Sequence, residues 1–318
     1  MRFNRLDLNL LVALDALLTD CSIVRAAERV NLSPSAMSSA LARLREYFDD
    51  ELLVQVGRRM EPTPRAEGLR ESVRDVLLRV DNAIATQPGF DPATSDRVFR
   101  IFASDYTQTV FVPHVLAAAA QQRCSASFEF FPQDSQPQRA LERGDADLLV
   151  IPRGLTAGEH PDEALYEERF VCLLWRDGRF ARGPLTLERY LEAGHVVMRP
   201  PGRDRDSSFE VGFLKRQGLA RRVAVTTYGF TPMPALVAGT DYIATVHERL
   251  ARTACAAWPL VMRDLPMKPA PVMEQAMQWH RSRSNDPGLA WLRQLFLSAV
   301  KRMEAPADMP ASAGGHRP

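Results

Sequence analysis

Cysteine is scarce in this chain. Cys21, Cys124, Cys172 and Cys255 are the only 4 in 318 residues, and they stand far apart, so no metal-type pair of thiols exists. They read as buried reduced thiols, with a redox switch between two of them as the alternative. The 6 histidines are scattered. No GxSxG elbow, Walker loop or glycine-rich βα turn occurs, which leaves an enzyme without a nucleophile, a metal or a phosphate cradle. No cofactor or metal is expected. No run of about 18 apolar residues exists, so no membrane-spanning helix is expected. Asn9 and Asp15 interrupt the apolar stretch Leu8–Leu18, which argues against a signal peptide and for a cytoplasmic chain. An excess of one charge is missing too. Forty basic residues face 39 acidic ones, a net charge of +1 that gives no electrostatic hint of nucleic acid.

What is present is ordinary for a globular protein, with 46% hydrophobic and 25% charged residues and length for two or three domains. The most informative stretch is Ser22–Arg45. Ser22 is a suitable N-cap, and Ile23, Ala26, Ala27 and Val30 follow at helical spacing. Asn31 and Leu32 break the pattern. Ser33 and Pro34 restart it as cap and first-turn proline. Ala36, Met37, Ala40, Leu41 and Leu44 form the apolar stripe of the second helix, while Ser35, Ser38, Ser39, Ala42 and Arg43 face away. Two helices joined by a tight turn, the second opening on small polar residues, make a helix-turn-helix. Small residues let backbone approach DNA closely, serines reach phosphates or base edges, and arginine pairs guanine with two hydrogen bonds. The alternative is a helical hairpin with a solvated serine face.

Upstream, Leu8, Leu11, Val12, Leu14, Leu17 and Leu18 predict an amphipathic first helix. Downstream, Leu52–Val56 and Met60–Thr63 flank Gly57-Arg58-Arg59, a hairpin with two cations at its tip that suits the DNA backbone or minor groove. Thr63-Pro64 opens a helix running to Thr86, about 33 Å long. On it Leu69, Val73, Val76, Val80 and Ala83 step by 4, 3, 4 and 3, the spacing of a coiled-coil seam. Acids balance the arginines of the first 65 residues, so one such module binds DNA weakly, and affinity requires linked modules. The seam supplies that pairing. After the turn-rich Gln87–Pro92, strand and helix alternate as in an α/β domain. Strands are predicted near 97–104, 127–131, 147–151, 170–175, 196–198, 222–226, 242–246 and 273–279. Helices are predicted near 110–120, 137–143, 209–217, 233–238, 248–256 and 288–301. The Ala-, Pro- and Gly-rich tail is expected to be disordered.

With these residues in view, the chain resembles the LysR-type transcriptional regulators over nearly its whole length. Leu6–Leu11 matches the start of that family's first helix, and Ala26–Ser33 with Ser35–Ser38 its helix-turn-helix. Glu61–Ala66 matches the entry to its linker helix, and Leu141–Leu148 a signature of its effector domain. Phe90-Asp91-Pro92, Trp279-His280 and Trp291–Leu295 are similar to the branch of nodulation and nitroaromatic-degradation regulators. Pro34-Ser35 stands where many members have Gln-Pro, so their half-site preference does not carry over.

The resemblance implies an N-terminal all-α winged helix-turn-helix over 1–62 and a linker helix over 63–89. It implies a C-terminal α/β two-lobed effector domain of the type 2 periplasmic-binding-protein kind over 90–302, followed by a tail over 303–318. Lobe one would span 91–165 and 268–302, and lobe two 166–267. It also implies a dimer of dimers on double-stranded promoter DNA, with no membrane partner and no enzymatic activity. The expected DNA-contacting residues are Ser22, Ser33, Pro34, Ser35, Ser38, Ser39, Arg43, Arg58 and Arg59.

Ligands of open α/β sheets lie at the carboxyl ends of strands. That rule selects Ser104, Asp105, Tyr106, Arg153, Arg199, Tyr228, Phe230, Thr245, His247 and Arg249 as effector contacts. The nitroaromatic branch implies Arg169, His247 and Arg249. Arginine forks suit a carboxylate and the aromatic side chains suit a ring, so the expected effector is aromatic or a carboxylate. A ligand-independent repressor and a redox-sensing regulator are the alternative functions.

Overall fold

Helix caps set the beginning of the chain's architecture. Asp7 accepts a hydrogen bond from the Leu10 amide at 2.9 Å and starts α1 (Leu8–Asp20), which ends where Cys21 turns left-handed. Ser22 caps α2 (Ile23–Arg29) and Ser33 caps α3 (Pro34–Phe48). Gly57, at φ +62, follows β1 (Leu53–Val56), which pairs with β2 (Arg59–Pro62) in a register that sets Val56 opposite Arg59. Thr63 then caps α4 (Pro64–Ala85), its hydroxyl accepting from the Ala66 amide at 3.1 Å and donating to Asp50 at 2.6 Å. Leu14, Leu17, Leu18, Met37 and Leu44 are fully buried in one core with Ala26 and Ala27. The face of α1 differs from expectation. Leu10, Ala13 and Ala16 are buried, whereas Leu8 and Val12 are exposed.

The computed structural model describes residues 6–57, 59–85, 89–133, 137–199 and 209–305. It divides into two units. One comprises residues 1–89 with the segments 139–145 and 280–287, and the other residues 90–138, 146–279 and 288–318. No helix among the described residues is long and apolar enough to cross a membrane.

The second part of the chain runs β3 (Val98–Ala103), α5 (Asp105–Val110), α6 (Val112–Gln121), β4 (Ser127–Phe131), α7 (Gln138–Glu142) and β5 (Leu148–Pro152). Then come β6 (Asp162–Trp175), α8 (Leu187–Glu192), β7 (Gly194–Met198), α9 (Phe209–Arg216), β8 (Arg222–Thr227) and α10 (Met233–Val237). β9 (Tyr242–His247), α11 (Glu248–Ala257), β10 (Leu260–Asp264), β11 (Val272–Gln278) and α12 (Pro287–Glu304) complete it. The sheet order is β4-β3-β5-β11-β6-β9-β7-β8, with β10 paired to β6. Strand β6 is shared by both halves. Its residues 162–169 pair with β11, and residues 170–175 pair with β9 and β10. This gives two α/β lobes, each with its own parallel pairs: β3 with β4 and β5, and β7 with β8 and β9.

Helices α5 and α8, strand β10 and the first half of β6 were not anticipated from the sequence. Helix α12 extends to Glu304, beyond the expected boundary at 302, and the remainder of the tail lies outside the described residues.

Candidate functional site

Helix α3 separates two chemistries by face. Met37, Leu41 and Leu44 are buried beneath it, while Ser33, Pro34, Ser35, Ser38, Ser39 and Arg43 are exposed. Ser33 is spent on the cap, accepting from the Ala36 amide at 3.1 Å, and its hydroxyl lies 3.0 Å from that of Ser35. Ser22 likewise caps α2 through the Arg25 amide at 3.4 Å. Ser38 donates to the Pro34 carbonyl at 2.9 Å and Ser39 to the Ser35 carbonyl at 3.0 Å. Both hydroxyls therefore leave acceptor lone pairs free to face outward, and rotation of the O–H would turn each into an outward donor.

The Arg43 guanidinium, mostly exposed, lies 3.3 Å from Asp7 in an ion pair weak enough to exchange. Arg59 is exposed at the start of β2, and Arg58 lies outside the described residues. Sequence reasoning missed Arg45. It donates to the Glu51 and Leu53 carbonyls, both at 2.8 Å, and so pins the base of the hairpin to α3.

The heptad on α4 is divided between two uses. Val73 is buried in the same core as α1, with Leu69 and Leu77 packed against it, and Arg74 reaches Asp15 at 2.7 Å and Thr19 at 2.6 Å. Val73 thus serves its own chain, and Leu69 is partly buried against the same core. Val76 is 41% exposed and Val80 half-buried. The side chain of Ala83 lies outside the described residues.

Residues expected at the effector site meet only in part. Tyr106 is buried, and its hydroxyl donates to Glu168. Its ring stacks on His247 with centroids 3.7 Å apart, and Phe230 meets the His247 ring edge-on at 4.5 Å. The Asp105 carboxylate accepts from the amide and hydroxyl of Thr231, both at 2.8 Å. Ser104 caps α5. Arg249 donates to Glu168 at 2.9 Å and to the Glu167 carbonyl at 2.7 Å.

The other expected contacts are engaged elsewhere. Arg153 pairs with Asp162 at 3.0 Å and Glu274 at 3.1 Å, and Arg169 lies between Glu248 and Asp264. Thr245 faces its own lobe, bonded to the Tyr190 hydroxyl at 2.9 Å. Tyr228 is 80% exposed. Arg199 donates its amide to Thr227, and its Nε has no partner among the described residues.

Burial explains the protonation states here. It lowers the His247 pKa to about 3, and His247 Nδ1 has no partner among the described residues. Burial, then the nearby Tyr166 and Glu168, raises that of the Tyr106 phenol. For Arg249 the burial penalty is overcome by its bond and charge attraction to Glu168, leaving the pKa raised. Beside this network lies a cavity of about 550 Å³ lined by residues 164–169, Glu248, Arg249, Arg252, Glu274 and Glu304.

Comparison with known proteins resolves the assignment. Residues 8–67 match the bacterial regulatory helix-turn-helix protein family of LysR type, and residues 93–301 match the LysR substrate binding domain. The chain is 42% identical to Nodulation protein D 1 of Sinorhizobium fredii over 98% of its own length and 97% of that protein. The chain belongs to the LysR family of transcriptional regulators. It is also 42% identical to Nodulation protein D 2 of Rhizobium tropici, covering 99% of this chain and 100% of that one. Full-length OxyR from Pseudomonas aeruginosa shares the fold, at a TM-score of 0.70 and 16% identity, covering 93% of this chain and 95% of that chain.

As a LysR regulator the chain has a DNA-binding domain and an effector-binding domain, and it is not an enzyme. In the effector domain of this LysR regulator, sequence reasoning passed over Glu168, 1% exposed at the centre of the network. Along 166–170 the even-numbered residues are buried and the odd-numbered ones exposed, a strand alternation that a glutamate in a buried slot disguises.

Proposed function

We propose that α3 enters the major groove of promoter DNA with Ser35, Ser38, Ser39 and Arg43 toward the base edges, and that Arg58 and Arg59 follow the backbone. The observation that carries this reading is the exposed serine and arginine face of α3 above a fully buried underside. The near-neutral charge of the chain gives a single module little phosphate affinity, so we further propose that two or more act together, as a dimer of dimers. In this proposal α4 pairs with its copy through Val76, which is 41% exposed, and the half-buried Val80. A cytoplasmic location accords with promoter binding.

The effector belongs, in this proposal, to the cavity beside Glu168. Its arginines are already paired: Arg249 with Glu168, and Arg169 and Arg252 with Glu248. A carboxylate effector at Arg249 would have to displace Glu168, at the cost of an uncompensated buried charge. The wall therefore supports a compact ligand that donates hydrogen bonds to the carboxylate oxygens. Differential affinity of that ligand for two arrangements of the domain is the source of the transcriptional response.

Thermal unfolding of the full-length protein with benzoate, benzyl alcohol and benzylamine tests the ligand class. Stabilisation by the alcohol or amine is expected, and stabilisation by benzoate alone would overturn it. Genome-wide mapping of occupied promoters tests the regulatory role, since discrete upstream sites are expected and uniform occupancy contradicts it.

A further inference from the structure

The first turn of α5 makes two contacts from the β3 half of the sheet to the β8–β9 half. The Tyr106 ring lies flat on His247, at the end of β9. One residue earlier, a single oxygen of Asp105 accepts both the amide and the hydroxyl of Thr231, in the loop after β8. That loop is shaped around the carboxylate. A Cβ added to Gly229 would lie 2.4 Å from Asp105 Oδ2, and the three heavy atoms nearest to it would all belong to Asp105. The glycine at 229 is therefore accounted for by the approach of this one side chain.

We propose that Asp105 is a tethered ligand. From lobe one, its carboxylate fills a carboxylate-accepting position that lobe two presents at Gly229–Thr231, and it latches the two lobes with an anion built into the chain. The chemistry is that of a carboxylate held by one backbone N–H and one hydroxyl, with no cation on it among the described residues. A small external carboxylate gains access to the position only when Asp105 vacates it. The consequence for transcription rests on the effector-domain reading given above, whereas the latch is tested without reference to DNA.

The test is amide hydrogen exchange on the full-length protein, in sodium chloride and in sodium acetate at equal ionic strength. In Asp105→Ala the Thr231 amide is expected to exchange at least about tenfold faster than in the unaltered protein, as befits the loss of a charge-assisted bond. Acetate is expected to restore protection in Asp105→Ala and to leave the unaltered protein unchanged.

Gly229→Ala is expected to open the same contact by collision, and to add nothing in the Asp105→Ala background. Unchanged exchange at Thr231 in Asp105→Ala overturns the latch. Equal effects of acetate on both proteins, or none on either, overturn the carboxylate-accepting position. A cost of Gly229→Ala that persists in the double variant overturns the role assigned to the glycine. Thr231→Val is a milder second probe should Asp105→Ala fail to fold. It keeps the amide and removes only the hydroxyl, so faster exchange with no rescue by acetate is expected, and exchange as slow as in the unaltered protein overturns the shared bond.

Discussion

The face of α3 and the network around Glu168 are built in opposite ways. The first is assembled from neighbours within eleven residues, Ser33 to Arg43, with water on one side and Met37, Leu41 and Leu44 on the other. The second brings together Tyr106, 62 residues before Glu168, and Arg249, 81 residues after it, and removes the carboxylate from solvent. A site on a helix surface separates recognition from stability, because its side chains contribute little to the core. A buried charge network merges the two, since every member is another member's partner. Substitutions on α3 should therefore alter binding and spare folding, and substitutions around Glu168 should do both.

The largest expected effect sharpens this contrast. Glu168→Ala removes the acceptor of the Tyr106 hydroxyl and one of the two acceptors of the Arg249 guanidinium, and should destabilise the effector domain by about 3 kcal/mol. Glu168→Gln, which keeps an acceptor for Tyr106, should cost less. Trp175, Trp258, Trp279 and Trp291 all lie beyond residue 90, so tryptophan fluorescence in urea reports this domain alone.

Acidity should separate the two regions next. Burial lowers the His247 pKa to about 3, and burial together with Arg221 lowers that of His195 to about 4. In the unfolded chain both take up a proton below pH 6.5, whereas in the folded chain they stay neutral, so stability falls as pH decreases through that range. Each histidine should contribute a loss of about 2 kcal/mol between pH 7 and pH 5. Residues 1–89 contain no histidine, and the unfolding of this N-terminal stretch should change much less over the same interval. His247→Phe, which keeps a ring against Tyr106, should flatten the profile.

Three smaller effects concern the N-terminal unit. Val73→Ala should cost about 2 kcal/mol, because Val73 is buried beside α1. Val76→Asp should leave folding intact and disrupt self-association in size-exclusion chromatography. An unchanged elution volume would remove Val76 from the interface. Ser33→Ala should cost about 1 kcal/mol through loss of the α3 cap, measurable by far-ultraviolet circular dichroism on heating.

The helix-turn-helix was legible because caps, proline and apolar spacing all lie within one stretch of chain. Ser22, Ser33 and Thr63 cap the helices expected of them. The effector domain was legible as alternating strands and helices, but its site was only partly so. Arg153 and Arg169 looked like free anion receptors, yet each has an acidic partner, Glu274 and Asp264 respectively, on a strand around a hundred residues away. Thr245 sits at a strand end as expected, but strand alternation turns it into its own lobe. The first half of β6 escaped notice because Glu167, Glu168 and Arg169 make a charged run where a strand passes between lobes. Pairing across the sheet, which no local pattern contains, decides these cases.

Equilibrium titration of the full-length protein against DNA from upstream of its own gene, at two salt concentrations, bears most directly on the central claim. The comparison is with a Ser38→Ala, Ser39→Ala, Arg43→Ala variant. The unaltered protein should prefer that DNA over a scrambled duplex and weaken steeply with salt, while the variant loses the preference and keeps its fold. Equal affinity of both proteins for both duplexes would contradict the assignment of α3 to the groove.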